Sequence, residues 1–257
     1  MNSPSLFMQA SGHGQPLVLL HGWGMNSSIF TPLVAQLPQF QCFQVDLPGF
    51  GDSAPVAGGF DAWVEQLAQQ LPQQAIVLGW SLGGLLATSL AQRFPSNVAA
   101  LITVASSPCF LANAEWPGIP PKVLQQFEQQ LQQDLAKTIE RFLALQAMGS
   151  DSARDDIRQV RELVLAKPLP DATALSAGLA MLRDVDLRDH LPALQQPWLR
   201  LWGKLDGLVP QRVIAQLPTA DNVTDCVFAK ASHAPFISHP QDVVAEIQRW
   251  SAARGLI

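Results

Sequence analysis

The residues best suited to chemistry in this sequence surround Ser81, which stands between Gly79 and Gly83 in a G-x-S-x-G pattern. The apolar run 75–78 before it predicts a buried strand, and residues 82–94 after it predict a helix. A strained turn between a strand and a helix holds a serine hydroxyl clear of the sheet, with the helix N-terminus facing it. A hydroxyl is a weak nucleophile at neutral pH, so it also needs a base. The pattern predicts a nucleophilic serine that passes through an acyl-enzyme.

A histidine must reach this serine, and His233 is the strongest candidate. It follows the strand-like run 225–229 and lies in the loop 231–236, at the place where the base is expected. His239 is the alternative, but it lies directly before Pro240, which fits the start of the final helix better.

The acid that orients the histidine is predicted to be Asp206, which gives the chain order Ser, Asp, His. Asp206 closely follows the strand-like run 198–202. A loop that precedes a strand opens at the opposite edge of a parallel sheet, which disfavours three other carboxylates. We interpret these three as solvated turn residues: Asp184, Asp186 and Asp189.

An oxyanion hole requires two backbone N–H groups aimed at the charge that develops during acyl transfer. The glycine-rich run 21–24 follows the strand-like run 16–20, which is a position suited to completing such a hole. We assign the two donors to the amides of Trp23 and Leu82. His21 precedes this loop and is interpreted as holding its geometry by hydrogen bonding.

Length and composition fit one catalytic domain. The chain has 257 residues, of which 48% are hydrophobic, and it can therefore bury one large core. The net charge of −5 disfavours nucleic acid as a partner, because a phosphate-binding protein shows a basic stripe. No G-x-x-x-x-G-K loop is present, and the histidines lack paired metal-ligand spacing. We expect neither a metal nor a cofactor.

The cysteines and the first residues indicate a compartment. Three widely spaced cysteines beside apolar strands are typical of buried thiols rather than of disulfides or metal ligands: Cys42, Cys109 and Cys226. Residues 1–5 do not resemble a secretory leader, and no run of eighteen apolar residues occurs. We expect a cytoplasmic protein without membrane attachment. Nothing in the sequence demands an oligomer, so we expect a monomer.

Strand-like and helical segments alternate up to about residue 107, with strands near 17–20, 41–46, 75–79 and 100–105. This alternation predicts a mostly parallel sheet with helices on both faces. From about 109 to 183 the pattern changes to helix after helix, and strands resume at Trp198. Together with the serine turn, this predicts an α/β-hydrolase fold. Its core is predicted at residues 1–108 and 185–257, and an inserted helical cap over the substrate pocket at 109–184.

Over essentially its whole length the sequence resembles the esterases of biotin synthesis that act on the methyl ester of pimeloyl-[acyl-carrier protein]. Three of the shared motifs occur in many hydrolases: LHGWG (20–24), VDLPGFG (45–51) and GWSLGG (79–84). VASSPCF (104–110) is also shared. More specific to the family are Trp80 beside the serine, the cap segments EWPGI (115–119) and ERFLALQ (140–146), and the C-terminal loop HAPFISHP (233–240). The resemblance implies release of methanol from a carrier-bound chain, with Ser81, Asp206 and His233 as the triad.

Basic residues of the predicted cap are candidates for docking an acidic carrier protein. Lys137 and Arg141 lie one helical turn apart, and Arg154, Arg158 and Arg161 share the spacing i, i+4 and i+7. Acidic residues are interspersed among them, so ordinary surface ion pairs are the alternative interpretation. The resemblance implies docking, because members of that family use cap arginines to bind the carrier. Members of that family can carry arginine at position 137, and the lysine here keeps the charge but lacks the planar guanidinium group.

Apolar side chains near the serine predict a slot for a methylene chain. Its expected walls are Trp23, Trp80, Leu82 and Phe142. Phe142 could equally be a packing residue of the cap, because it recurs at helical spacing. A general short-chain carboxylesterase, a thioesterase and a non-catalytic receptor of the same fold remain as alternative functions.

Overall fold

The computed structural model describes residues 5–146 and 153–257. Residues 1–4 of the predicted core and residues 147–152 of the predicted cap lie outside this part of the chain. The strands are β1 (Met8–Ser11), β2 (Gln15–Leu20), β3 (Phe40–Val45), β4 (Ala75–Trp80), β5 (Val98–Val104), β6 (Trp198–Gly203) and β7 (Val223–Phe228). The α-helices are α1 (Thr31–Val34), α2 (Gly59–Gln70), α3 (Leu82–Arg93), α4 (Pro121–Leu131), α5 (Leu135–Gln146), α6 (Ala153–Val164), α7 (Ala172–Asp184), α8 (Pro235–Ser238) and α9 (Pro240–Ala253).

The strands form one sheet in the order β1-β3-β2-β4-β5-β6-β7, and β1 alone among them pairs antiparallel. The mostly parallel sheet predicted from the alternation is therefore confirmed. All six residues of β4 and of β6 are buried, which is the pattern of central strands covered on both faces. β1 was not predicted, because its short MQAS sequence is largely exposed and carries no apolar alternation.

The sheet topology explains how residues far apart in sequence converge. β4, β6 and β7 run parallel, so their carboxyl ends lie at one edge of the sheet. Ser81 follows β4, Asp206 follows β6 and His233 follows β7. The loops after β2 and β3 open at the same edge, since β2 pairs parallel with both β3 and β4. Ligands of open α/β sheets bind at this edge.

Between β5 and β6 the described residues form the inserted helices α4 to α7. The helices begin only at Pro121, so the expectation of helix after helix from residue 109 was wrong for residues 109–120. This stretch is non-helical and forms two isolated bridges, Cys109 with Asp186 and Leu111 with Ile119. Two prolines and a glycine in it oppose a helix. The boundaries of the cap at 109 and 184 remain a prediction.

Candidate active site

Ser81 occupies the tight turn between β4 and α3. Its backbone has φ +55° and ψ −119°, a conformation that L-residues rarely adopt. The turn needs small neighbours, because a Cβ atom at Gly79 would collide with the carbonyl group of Gly83. A Cβ atom at Gly83 would collide with the carbonyl group of Leu20 at the end of β2. The glycine pattern therefore reflects close approach of three backbone segments, and Ser106 Oγ fixes the turn by donating to Ser81 O at 2.8 Å.

The structure brings Ser81, Asp206 and His233 into one hydrogen-bonded chain. His233 Nδ1 lies 2.8 Å from Asp206 Oδ2, and His233 Nε2 lies 3.0 Å from Ser81 Oγ. A carboxylate oxygen only accepts, so Nδ1 carries the proton of the neutral imidazole and Nε2 accepts from the serine hydroxyl. Asp206 Oδ1 accepts from the amides of Leu208 and Val209 at 2.8 and 3.0 Å. The arrangement can take a proton from Ser81 as its oxygen attacks a carbonyl carbon.

Trp80 contacts His233 through both its indole nitrogen and its ring. Its indole Nε1 donates to the backbone oxygen of His233 at 2.8 Å, and the two ring centroids are 5.8 Å apart. The ring also packs edge-on against Phe236 at 5.1 Å. Trp80 is fully buried. The sequence predicted a pocket residue at this position, and the structure adds a contact that fixes the loop of His233.

The two predicted oxyanion residues lie beside the serine turn. Leu82 is the first residue of α3, directly after Ser81, and Trp23 lies in the loop after β2. That loop packs against the turn, because a Cβ atom at Gly22 would come within 3.3 Å of the Ser81 Cβ. Assignment of the Trp23 and Leu82 amides as oxyanion donors remains a prediction, and the close packing of the two segments supports it.

His21 is buried at the base of this loop and links it to the loop after β3. Leu47 N donates to His21 Nε2 at 3.0 Å, so Nδ1 carries the proton and donates to Gly22 O at 2.8 Å. Burial lowers the pKa of His21 to about 4, which outweighs the opposing effect of Asp46. The ring is therefore neutral near neutral pH. Its two hydrogen bonds join the loops after β2 and β3, in agreement with the structural role predicted from the sequence.

Three of the inserted helices converge on Trp23. Its ring centroid is 4.8 Å from that of Phe142 in α5 and 6.3 Å from that of Phe127 in α4, and its Nε1 donates to Leu175 O in α7 at 2.8 Å. A Cβ atom at Gly178 of α7 would come within 2.6 Å of the Trp23 Cδ1. The helices thus form an apolar lining around the predicted oxyanion loop.

Phe142 shows both properties that the sequence left open, because it packs on Phe127 of α4 and also contacts Trp23. Phe127 and Gly178 were missed. The i, i+3, i+7 apolar spacing of Leu124, Phe127 and Leu131 could have indicated the inward face of α4. Nothing in the sequence indicated that α7 needs a glycine at its contact with Trp23.

The four candidate docking residues lie exposed on α5 and α6. They are Lys137, Arg141, Arg154 and Arg158. Arg141 donates to Gln130 Oε1 at 3.0 Å, which holds its guanidinium over the Phe127 ring. Arg158 pairs with Asp155 at 3.0 Å, and both side chains are at least 70% exposed. An ion pair this open exchanges readily with solvent or with a partner's carboxylates. The acids among these basic residues are therefore compatible with docking.

The rejected alternatives Asp184, Asp186 and His239 make their side-chain contacts with residues outside the triad. Asp184 is the last residue of α7 rather than a turn residue, and it pairs with Arg183. Asp186 pairs with Arg188. His239 stands at the N-terminus of α9, where its side chain contacts Ser238 rather than capping the helix.

The described residues show no group of His, Cys, Asp and Glu that could hold a metal ion. In the same part of the chain, no helix is both long and apolar enough to cross a bilayer. The three cysteines are free, and Cys226 is half-buried rather than buried because β7 is an edge strand.

Comparison with known proteins identifies relatives over nearly the whole length of the chain. A family model described as the alpha/beta hydrolase fold matches residues 15–240. A pimeloyl-[acyl-carrier protein] methyl ester esterase from Shewanella sp. (strain MR-7) is 59% identical over 251 residues, covering 97% of this chain and 95% of that protein. A protein of the same name from Aeromonas salmonicida (strain A449) is 54% identical over 255 residues, covering 96% and 98%. Among solved structures, an esterase from Exiguobacterium antarcticum has a TM-score of 0.84 at 23% identity, covering 95% of this chain and 94% of that one. At that identity the likeness shows the fold alone.

Proposed function

Since this chain belongs to the alpha/beta hydrolase fold family and, within it, to the pimeloyl-[acyl-carrier protein] methyl ester esterases, we propose that it hydrolyses the methyl ester of pimeloyl-[acyl-carrier protein]. The products are methanol and the free carboxylate of the carrier-bound chain, as a step of biotin synthesis. The observation that carries the proposal is the hydrogen-bonded chain from Asp206 through His233 to Ser81, with distances of 2.8 and 3.0 Å.

In the first half of the reaction Ser81 Oγ attacks the ester carbonyl carbon while His233 Nε2 takes its proton. Asp206 stabilises the imidazolium that forms, and its own position is fixed by two backbone amides. The Trp23 and Leu82 amides hold the oxyanion of the tetrahedral intermediate. His233 then gives the proton to the departing methoxide, so methanol leaves and an acyl-enzyme remains.

In the second half a water molecule gives a proton to His233 Nε2 and attacks the acyl carbon. The proton returns to Ser81 Oγ when the acyl bond breaks, which restores the free enzyme. The balance is one ester and one water in, one carboxylic acid and one methanol out. No group other than the triad and two backbone amides needs to act in either half.

The apolar lining suits the methylene chain of the acyl group. Trp23, Trp80, Leu82 and Phe142 are all almost fully buried around the serine turn. A pocket of this composition favours an extended aliphatic chain over a charged one. We assign these four residues to substrate binding, and the helices α4 to α7 to a cap over the site.

Acyl carrier protein is the proposed partner, and the exposed basic residues of α5 and α6 are its proposed docking site. Arg141, Arg154 and Arg158 offer guanidinium groups, and Lys137 adds a charge one turn before Arg141. The two helices are adjacent, as the ion pair between Arg161 of α6 and Glu140 of α5 at 3.1 Å shows. Attraction between this face and an acidic carrier speeds encounter and orients the tethered chain. The free thiols support a reducing, cytoplasmic setting, and one chain supplies every proposed catalytic group, as a monomer requires.

The test is mass spectrometry of pimeloyl-carrier methyl ester incubated with the enzyme in ¹⁸O-labelled water. We expect loss of the methyl group, incorporation of one labelled oxygen and an intact thioester. The Ser81→Ala variant should leave the ester unchanged while still binding the carrier. Release of free carrier thiol would indicate a thioesterase instead, and turnover by Ser81→Ala at a comparable rate would exclude Ser81 as nucleophile.

Carrier docking is tested with a triple variant in which Arg141, Arg154 and Arg158 become Glu. We expect it to fail on the carrier-bound ester but to hydrolyse methyl butyrate at the wild-type rate. A control with the same change in net charge replaces three exposed basic residues outside α4 to α7: Lys230, Arg249 and Arg254. Equal loss in both triple variants would reduce the effect to net charge, and no loss in either would favour a general carboxylesterase.

A further inference from the structure

The segment that joins α6 to α7 is fastened to the sheet edge at three successive points. At the first, Asn26 Nδ2 in the loop after β2 donates to Val164 O at 2.8 Å. At the third, Asp171 N donates to Gly49 O in the loop after β3 at 2.9 Å. The segment between them is therefore held by two different core loops.

The second point of attachment is Lys167, whose side chain is only 11% exposed. Its Nζ lies 2.7 Å from Asp46 Oδ2, 3.2 Å from Asp52 Oδ2 and 3.1 Å from Ser27 Oγ. The ammonium group also sits 3.6 Å from the centre of the Phe7 ring, within the range of a cation–π contact. Lys167 thus joins the inserted helices to both core loops through one charged group.

Asp46 explains why a cation is required at this point. Its carboxylate is fully buried, with Oδ1 accepting from Ser27 N at 2.7 Å and Oδ2 accepting from Asp52 N at 2.9 Å. A buried carboxylate is stable only when it is paired and hydrogen-bonded. Burial alone would raise the pKa of Asp46, but the positive charge of His21 once that ring is protonated at low pH, the two amides and Lys167 hold this pKa below its ordinary value. The carboxylate therefore stays charged and ties Lys167 to the loop that carries Trp23.

The helix that starts after this segment covers the predicted oxyanion residues. α7 begins with Asp171 as its N-cap, four residues beyond Lys167. Its Leu175 accepts from the Trp23 indole, and its Gly178 would place a Cβ atom 2.6 Å from Trp23 and 3.2 Å from Leu82. A shift at the N-terminal end of α7 would therefore be transmitted directly to Trp23.

We propose that Lys167 is a positioning residue for the reaction, acting through Asp46. Its ammonium group fixes the start of α7 against the loops after β2 and β3, and this keeps Trp23 and its loop in register with Ser81. The expected effect of Lys167 on the reaction rate rests on the proposed esterase function, whereas its effect on the position of α7 and of the Trp23 loop does not. Lys167 touches no reacting atom, and its effect appears in the rate of the chemical step rather than in substrate affinity.

The kinetic test compares Lys167→Met, which keeps the aliphatic stem and removes the charge, with Lys167→Arg, which restores a charge. We expect Lys167→Met to lower kcat for methyl butyrate by roughly tenfold or more with KM changed less than about twofold, because small displacements of positioned groups are costly. Lys167→Arg should recover most of that loss. The matched control is Lys122→Met, an exposed lysine at the start of α4, which should behave as wild type. A folded Lys167→Met with wild-type kcat, or equal losses in the Met and Arg variants, would overturn the proposal.

Hydrogen exchange gives a second readout that needs no turnover. We expect Lys167→Met to increase amide exchange in the loop 22–27 and the first two turns of α7, with β4 and β5 unchanged. A uniform increase over the whole chain would mean general destabilisation and would refute a positioning role. If wild type fails to cleave the ester, the proposed function falls, and the exchange pattern still decides the role of Lys167.

Should Lys167→Met not fold, Ser27→Ala takes its place. It removes the contact between Lys167 Nζ and Ser27 Oγ but keeps the bond from Ser27 N to Asp46. We expect a several-fold fall in kcat with unchanged KM and faster exchange in the loop 22–27. Wild-type values in both measurements would count against the proposal.

Discussion

At the scale of single residues, the proposed reaction depends on which nitrogen of His233 carries the proton. Asp206 accepts from Nδ1, so Nε2 is free to accept from Ser81. The geometry of the triad therefore also determines the tautomer of His233. A change of one atom in Asp206 is enough to reverse that choice.

We predict that Asp206→Asn lowers kcat by roughly 10³ to 10⁴-fold, because the amide group can donate to Nδ1 and stabilise the wrong tautomer. The variant should fold normally, since the amide oxygen can still accept from Leu208 and Val209. Steady-state hydrolysis of methyl butyrate measures the effect. Asp184→Asn, on the surface, should retain wild-type activity, and a loss of less than tenfold in Asp206→Asn would remove Asp206 from the triad.

His21 gives a pH dependence of stability. Its pKa falls from 6.5 in the unfolded chain to about 4 in the folded protein, because burial disfavours the charged ring. Between these two values the unfolded state binds the proton and the folded state does not. His21 therefore contributes its full stability above about pH 6.5 and loses it as the pH falls toward 4, at up to about 1.4 kcal/mol per pH unit.

We predict that the free energy of unfolding, from urea denaturation, declines between about pH 6.5 and 4.5 in wild type and declines less steeply in His21→Gln. The glutamine can still accept from Leu47 but does not titrate. His13→Gln, at an exposed histidine, should show the wild-type slope. An unchanged slope in His21→Gln would mean that other groups cause the acid loss.

At the scale of elements, α7 approaches the sheet edge more closely than a side chain would allow at one position. Gly178 is buried within the helix, and its α-carbon faces both Trp23 and Leu82. Glycine lowers helix stability by roughly 1 kcal/mol relative to alanine. Glycine is nevertheless needed at this position, because the Trp23 indole fills the space that a Cβ atom would occupy.

We predict that Gly178→Ala lowers kcat/KM for methyl butyrate by about tenfold, because displacement of the Trp23 ring disturbs the predicted oxyanion loop. Its effect on the thermal midpoint should be small, since the gain in helix propensity offsets part of the clash. The matched control is Ser176→Ala, which lies exposed on the same helix. Wild-type kcat/KM in Gly178→Ala would show that α7 can shift without affecting the loop.

At the scale of the whole molecule, the charge distribution matters more than the total. The chain carries a net charge of −5, yet α5 and α6 expose basic side chains on the part proposed to meet the carrier. The remaining surface would repel an acidic partner. Attraction confined to one face therefore both speeds and orients association.

We predict that kcat/KM for pimeloyl-carrier methyl ester falls at least about tenfold between roughly 50 and 500 mM NaCl, because salt screens exposed charges beyond a few ångströms. Hydrolysis of methyl butyrate, which has no charge, should change less than about twofold over the same range. A neutral variant, in which Arg141, Arg154 and Arg158 become Gln, should lose most of this salt dependence. A salt response shared equally by both substrates would locate the effect inside the active site rather than at the docking face.

The sequence by itself determined the features that local sterics and chain order impose. Gly79 and Gly83 identify a turn in which only small residues fit, and the order Ser81, Asp206, His233 follows from strands that end at one edge of a parallel sheet. These signals lie within a few residues of each nucleophile, acid or base. They predicted the fold class, and they predicted the three residues that the structure places in contact.

The tertiary structure decided the contacts between segments that are distant in the chain. Lys167 and Asp46 are 121 positions apart, and neither has a neighbour that marks it as one half of a buried pair. Trp23 meets Leu175 across 152 positions, and the exposed β1 joins the sheet only because β3 offers it an edge. Such pairings depend on which surfaces meet after the chain has folded, and hydrophobic periodicity reports only that a surface is buried. Periodicity can therefore indicate the inward face of a helix, such as Leu124, Phe127 and Leu131 of α4, but not the partners that this face meets.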